Sequence, residues 1–374
     1  MIRWVVGLLI GIVSLIGISK SEAVTKVVGG QAECDTTNIG CNPIPLTVTI
    51  LCTVGCTTLT APSLTDSNRW WGTNTGVACR TSTNGGVTWG NCTSNADVAA
   101  LYHYAGTADG GVLAAGVTNS GTHCKIYKST DNAVSWVNVF DDAVQFNCGN
   151  GGPNGGTRLK CALNGKCELN FLGTGNIAQT VESTDNGNSW TRTALTGIVY
   201  NPISLVFDGS KGFSTPGGGD GGSNFKAFIY DGGPWSLSTV WPALVRCFPS
   251  TILNGSGASV CQTGITTTYT VRNSTGALIS TQTLPNASPI TNAGMVGMSP
   301  VGNALYLIMT DDNSVGGPRI GVWVTTNGLS DGTMVRIFTG PLNLSVNNQS
   351  DIHYINGCIY FSAGAGLPLF AKIC

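Results

Sequence analysis

Along this chain of 374 residues, apolar positions fall into short runs separated by clusters of Gly, Asn, Asp, Ser and Thr. Residues 46–51, 111–117, 203–207, 304–309, 352–355, 358–361 and 368–373 are such runs, each with the length of one strand. The intervening clusters hold turn builders: Gly reaches positive φ without steric cost, and Asn and Asp side chains accept hydrogen bonds from the backbone two residues on. The pattern predicts an all-β chain. One run differs from the rest. Residues 4–19 carry no charge, Arg3 precedes them and Ser21-Glu22-Ala23 follows as a small-x-small site, the layout of a secretory signal peptide over residues 1–23. The run is shorter than the ~20 residues of a membrane span. The expected mature chain is 24–374, extracellular or periplasmic, with no integral membrane span after cleavage.

An internal repeat sharpens the prediction. Residues 82–89 (STNGGVTW), 129–136 (STDNAVSW) and 183–190 (STDNGNSW) share the pattern S-T-[DN]-[NG]-x-x-[ST]-W, with starts 47 and 54 residues apart. That period is near the length of a four-stranded propeller blade. Each octet combines a side-chain acceptor (Asn84, Asp131, Asp185), a residue suited to positive φ and a closing Trp (Trp89, Trp136, Trp190), behind Ser82, Ser129 and Ser183. These features suit a hairpin staple. The octets resemble the Asp-box, or BNR, repeat of the sialidase-like propellers, a resemblance that implies a structural turn between the third and fourth strands of a blade. Weaker copies follow at 230–235, 272–276 and 325–330. The last runs, 352–355, 358–361 and 368–373, supply three strands, and 46–51 supplies a fourth that would close the ring and remove its open sheet edges. The resulting expectation is a β-propeller of seven blades, or six if residues 70–92 share a blade with the final strands. No linker or composition shift divides the mature chain, so a single domain is expected.

Composition narrows the class. The 18 Lys+Arg and 19 Asp+Glu make 10% of the chain, against roughly 25% in ordinary domains. With 42% apolar residues and a net charge of -1 the chain is not of the disordered type. Four Glu and 52 Gly do not suit a coiled coil, and thinly spread Lys and Arg do not suit nucleic acid. Fourteen Cys in an exported chain predict up to seven disulfides. Spacing does not fix the connectivity; the near-sequence candidates are Cys34–Cys41, Cys79–Cys92, Cys161–Cys167 and Cys247–Cys261. Isolated His103, His123 and His353, with no paired Cys motif at zinc spacing, give no metal site and no cofactor. The Gly-rich stretches 148–157 and 215–224 lack the Lys and Ser/Thr of a phosphate loop and read as surface loops.

Resemblance to sialidases implies an Arg-Ile-Pro element one blade ahead of the first octet, an Asp acid/base, a Glu–Tyr nucleophile pair and two further Arg residues. The matching place reads Asn42-Pro43-Ile44-Pro45, and Pro cannot form a guanidinium clamp on a carboxylate. Asp66 or Asp97 stands where the acid/base would be, Arg246 and Arg319 where later arginines would be, and Glu168 or Glu182 could partner Tyr306 or Tyr354. A general glycosidase needs only two carboxylates about 5 to 10 Å apart across a cleft. For binding, Asp66-Ser67-Asn68-Arg69-Trp70-Trp71 combines aromatic faces with polar edges, as a sugar site requires. Trp70 and Trp71 alternate in direction on a strand, so one is expected in the core and the other toward a ligand beside Arg69. The sequence thus points to an exported, non-catalytic recognition module for a glycan or cell-surface protein. A sialidase-like glycoside hydrolase is the alternative, and a protein-binding scaffold or assembly factor the second.

Overall fold

The computed structural model describes residues 48–52, 57, 59–74, 77–93, 98, 101, 103–117, 124–142, 159–172, 178–194, 202–216, 228–237, 246–253, 256–263, 266–272, 278–283, 295–301, 304–311, 319–325, 335–342, 352–356, 358–363 and 369–374, with strands 26–28 and 31–33. Side chains of most residues from 246 to 342 are not described. A hairpin of β1 (Lys26–Val28) and β2 (Gln31–Glu33) precedes β3 (Val48–Cys52). The first four-stranded sheet is β4 (Leu59–Pro62), β5 (Trp70–Asn74), β6 (Val77–Ser82) and β7 (Gly90–Asn91). The second is β8 (His103–Gly106), β9 (Val112–Val117), β10 (Cys124–Ser129) and β11 (Val137–Asp142). The third is β12 (Leu159–Cys161), β13 (Cys167–Leu172), β14 (Ala178–Ser183) and β15 (Thr191–Ala194).

The fourth sheet is β16 (Pro202–Phe207), β17 (Lys211–Pro216), β18 (Phe228–Asp231) and β19 (Ser236–Leu237). The fifth is β20 (Arg246–Leu253), β21 (Ser256–Thr263), β22 (Thr266–Arg272) and β23 (Leu278–Thr283). The sixth is β24 (Met295–Val301), β25 (Ala304–Asp311), β26 (Arg319–Thr325) and β27 (Val335–Leu342). The seventh joins β28 (Ile352–Ile355), β29 (Cys358–Ala363) and β30 (Leu369–Ile373) to β3, which pairs antiparallel with β30. Seven antiparallel four-stranded sheets therefore occur among the described residues.

The first strand of each sheet lies against the first strand of the next, β4 by β8, β8 by β12, β12 by β16, β16 by β20, β20 by β24 and β24 by β28. Both faces of a sheet are then covered by neighbours, and this explains the apolar runs that do not alternate cleanly. The run at 111–117 illustrates the point: β9 is the second strand of its sheet, and Val112, Leu113, Ala114 and Ala115 are all buried. Val112 and Ala114 pack with the first sheet around Trp71, while Leu113 and Ala115 pack with Leu159, Leu169 and Val181 of the third. The seventh and first sheets meet through His353, whose Nε2 lies 3.0 Å from the Thr60 carbonyl oxygen and 3.3 Å from its Oγ1. Trp70 fills the same seam, with ring centroids 5.0 Å from Tyr360 and Phe370 and 5.6 Å from His353.

Disulfides pin local hairpins. Cys79–Cys92 and Cys161–Cys167 form as the spacing suggested, Cys358–Cys374 is a further bridge, and Cys52 and Cys124 are disulfide-bonded as well. Cys247 and Cys261 stand opposite one another on β20 and β21, and Cys34–Cys41 lies outside the described residues. These bridges are compatible with an oxidising compartment. No helix among the described residues is long and apolar enough to cross a membrane. The expected signal peptide, residues 1–23, lies outside the described residues, as does the sequence 42–45.

Candidate functional site

Because successive strands reverse direction, the turns from first to second strand and from third to fourth strand project from one side of every sheet. The octets occupy three of the latter, between β6 and β7, β10 and β11, and β14 and β15. Their hydrogen bonding is the same in each. Ser82, Ser129 and Ser183 donate through Oγ to Asn84, Asp131 and Asp185 Oδ1 at 3.0, 2.8 and 2.8 Å. The same hydroxyls accept from the N–H of Gly86, Ala133 and Gly187 at 3.0, 2.9 and 2.8 Å. Each Oδ1 then accepts the N–H of Thr88, Ser135 or Ser189 at 2.9, 2.8 and 2.9 Å. Bonds from Ser135 hold Asp131, and bonds from Ser189 hold Asp185, at a pKa of about 2.

The octets also tie neighbouring elements together. The Trp89 and Trp190 indoles donate to Gly86 and Gly187 carbonyls at 3.0 and 3.1 Å. Trp136 instead donates to the Thr93 carbonyl at 3.0 Å, while Thr93 N–H donates to the Ala133 carbonyl at 3.1 Å, bridging the first and second sheets. Gly187, at φ 78°, presses on Leu113 of the second sheet, and Gly86, at φ 86°, on Phe370 of the seventh. Near the end of β10 in the second sheet Lys128 is buried, with Nζ 2.6 Å from Asp109 Oδ2 and 2.9 Å from Asn188 Oδ1. Burial alone would raise the Asp109 pKa, but bonds from Lys128, Thr107 and the Gly111 N–H outweigh it and lower it. The octet residues are thus structural groups, each engaged by its own turn.

The candidate sugar site is not assembled. Trp70 and Trp71 do point to opposite faces of β5, yet both are fully buried: Trp70 enters the seam with the seventh sheet and Trp71 the core shared with the second. The assumption that one face of the strand is open fails because each sheet is covered on both sides. Trp70 Nε1 donates to the Ser67 carbonyl at 2.9 Å. Arg69 is exposed and pairs with Asp66, Nε to Oδ2 at 3.1 Å. Asp66 also accepts the Asn68 N–H at 3.0 Å, and the Asn68 carbonyl accepts Gly85 N–H at 2.9 Å. Residues 66–69 are a seat for the first octet.

Nor does the chain bring the candidate catalytic groups together. Asp66 lies in the turn between β4 and β5, on the octet side, whereas Arg246 opens β20 and Arg319 opens β26, at strand ends on the other side. Asp97 lies outside the described residues. Other carboxylates are engaged by neighbouring strands: Asp142 meets Arg192 Nη1 at 2.7 Å, Asp141 meets Lys125 at 3.7 Å, and Asp311 pairs in register with Arg319.

Glu168, named by chain order as a possible partner of a Tyr nucleophile, has a setting that the sequence did not show. On β13, directly opposite Glu182 of β14, it is 2% exposed and accepts the Thr180 hydroxyl at 3.0 Å. Burial, then the Glu182 charge, pushes its carboxyl up to about 9. The Trp235 indole N–H approaches the same carboxyl without reaching hydrogen-bond geometry. Lys166 reaches Tyr230 Oη at 3.1 Å above this pair. The alternation Cys167, Leu169 against Glu168, Asn170 carried the signal, because it places a carboxyl and an amide on one sheet face.

The side bearing the octets displays aliphatic tips. Val87 and Val134, at the same place in the first two octets, are 49% and 59% exposed, and Leu163, in the turn between β12 and β13, is 71% exposed. Val87 and Val134 stand on turns whose backbones are fixed by the octet bonds, and the Leu163 turn is closed by the Ala162 N–H donating to the Lys166 carbonyl at 2.9 Å and the Gly165 N–H to the Ala162 carbonyl at 3.1 Å.

No protein-family model matches the sequence, and no curated protein matches it. Solved structures do match in fold. YCF48 bound to D1 peptide aligns with a TM-score of 0.58 and 13% identity, over 89% of this chain and 98% of that one. A catalytically inactive virginiamycin B lyase from Staphylococcus aureus with quinupristin gives 0.59 and 13%, over 88% and 99%. The Dos1 propeller gives 0.52 and 12%, over 87% and 93%. At these identities the likeness is one of fold, and the fold is the β-propeller.

Proposed function

We propose that this chain is an exported recognition propeller that binds an extended protein segment and does no chemistry on it. The carrying observation is the whole-length likeness to a propeller solved with a peptide bound. Supporting it, Val87, Val134 and Leu163 stand exposed on turns that are rigid before any partner arrives, which lowers the ordering cost of association. In this reading the 1–23 segment is a cleaved signal peptide, residues 24–374 form one seven-bladed ring, and the octets are Asp-boxes that brace it. A glycan target loses its main support with the burial of Trp70 and Trp71.

The test uses the oxidised mature chain, 24–374, panned against a displayed library of random twelve-residue peptides, with a glycan array and a glycan-release assay in parallel. The expected result is a set of peptides binding at micromolar Kd, weakened at least tenfold by the folded Val134→Asp or Leu163→Asp variants. Release of a terminal sugar, or glycan binding with no peptide selected, overturns the reading.

A further inference from the structure

The contacts between neighbouring sheets are not alike. Between the second and third sheets both faces are apolar, with Leu113, Ala115 and Ile126 against Leu159, Leu169 and Val181. The other face of the third sheet is polar. Register places Lys160, Glu168 and Glu182 in one row and Asn170 opposite Thr180 in the next. That face meets the fourth sheet, because Ala162 clusters with Leu205, Phe207, Phe228, Tyr230 and Trp235, and Lys166 bonds to Tyr230. Ser214 shares the opposing face, being paired with both Leu205 and Phe228.

Polar groups in this layer are buried and poorly matched. Glu168 is 2% exposed, and Asn170, Thr180 and Ser214 are fully enclosed. Neither amide atom of Asn170, nor Ser214 Oγ, nor the Trp235 indole N–H has a hydrogen-bond partner. Buried polar atoms in native layers are nearly always bonded, to protein or to water. The groups facing Glu168 are Glu182 across β14, Lys160 across β12, Lys166 in the turn between β12 and β13, and Tyr230 from β18. Neutral, the carboxyl needs one acceptor and fits against aromatic rings. Ionised, it wants several donors and is repelled by Glu182.

We propose that the contact between the third and fourth sheets is a proton-held latch: the neutral Glu168 carboxyl lets the two faces close, and loss of its proton to solvent draws water into the layer and loosens that contact alone. The raised pKa of about 9 sets the direction, closed at neutral pH and open in alkali. The latch is independent of the peptide-binding reading, since its test involves no ligand.

Backbone amide exchange of the intact oxidised chain, corrected for the intrinsic pH dependence of exchange, is compared between pH 7 and 10. Exchange from β13, β17 and β18 is expected to accelerate at least tenfold more than exchange from β9 and β10. The Trp235 indole N–H resonance, assigned with Trp235→Phe, should titrate with the same midpoint. Glu168→Gln should abolish both effects. Glu182→Gln, at a half-exposed position, removes the repulsion and should lower the midpoint by favouring ionisation of Glu168. Uniform acceleration in all sheets, or a Trp235 resonance that does not move in the wild-type chain, overturns the latch even if Glu168→Gln fails to fold. A Glu168→Gln chain that keeps the acceleration overturns it as well.

Discussion

The third octet offers a sharp test of how the sheets are stapled, through Gly187→Ala. Gly187 sits at φ 78°, and a Cβ there would lie 2.7 Å from both methyls of Leu113. Leu113 is fully buried among Ala105, Ala115, Ile126 and Leu169, so it cannot swing away. Left-handed backbone costs an Ala about 1 kcal/mol, and overpacking a closed core adds about 1–3 kcal/mol. The expected loss is about 2–4 kcal/mol, read as a lower urea midpoint at unchanged slope. The second octet supplies the control. Ala133 holds the equivalent position at φ 65°, 1% exposed, with its methyl inside the cluster of Trp71 and Val98. Ala133→Gly therefore regains about 1 kcal/mol of backbone strain and forfeits about 0.8 kcal/mol of burial, for a net change near zero. In a Leu113→Ala background the clash is gone, and Gly187→Ala should cost at least about 1 kcal/mol less. A Gly187→Ala chain within about 0.5 kcal/mol of wild type, or one whose cost is unchanged by Leu113→Ala, refutes the stapling argument.

Two other substitutions test the octet and the seam. Asp185→Asn should cost less than about 1 kcal/mol, because Asn84 fills the same role in the first octet with its Nδ2 donating to Thr88 Oγ1 at 2.8 Å; Asp185→Ala, which removes the acceptor of the Ser189 N–H and hydroxyl, should cost more in the same urea titration. Asp185 is held at about 2 when folded, below its unfolded value, so its contribution is present above pH ~4 and is lost as pH falls toward 2. The Asn variant should lack that segment of the acid-unfolding curve. At the seam, Trp70→Ala should cost about 3–5 kcal/mol and His353→Ala about 1 kcal/mol, with non-additive losses in the double variant because the rings touch. Additive losses there would show that the two residues do not act as one cluster.

Legibility followed the range of each interaction. The octets were readable because Ser, Asp or Asn, a positive-φ residue and Trp act within eight positions, and the turn at 230–235 likewise connects β18 to β19. Cys79–Cys92 and Cys161–Cys167 were readable for the same reason. Which face of a strand stays open was not readable. Alternation separated Trp70 from Trp71 correctly, but only the ring reveals that both faces are covered. The polar layer was half visible: alternation puts Glu168 and Asn170 on one strand face, while the aromatic neighbours Tyr230 and Trp235 come from the next sheet. Asp66, Arg246 and Arg319 were grouped by chain order, and strand direction puts them on opposite sides.

The seam between the first and seventh sheets sets a timetable for synthesis. Thr60 and His353 touch although 293 residues separate them along the chain, and β3 has no partner until β30 has been made. A nascent chain emerging N-terminus first carries Trp70 without Tyr360 and Phe370 to cover it, and carries β3 with its backbone groups unpaired. Each later sheet can settle on its predecessor, yet the ring gains its closing contacts only when the C-terminal strands arrive. Until then the first sheet keeps an uncovered apolar flank, and a chain lacking its C-terminal strands would leave Trp70 bare however well the intervening sheets had settled.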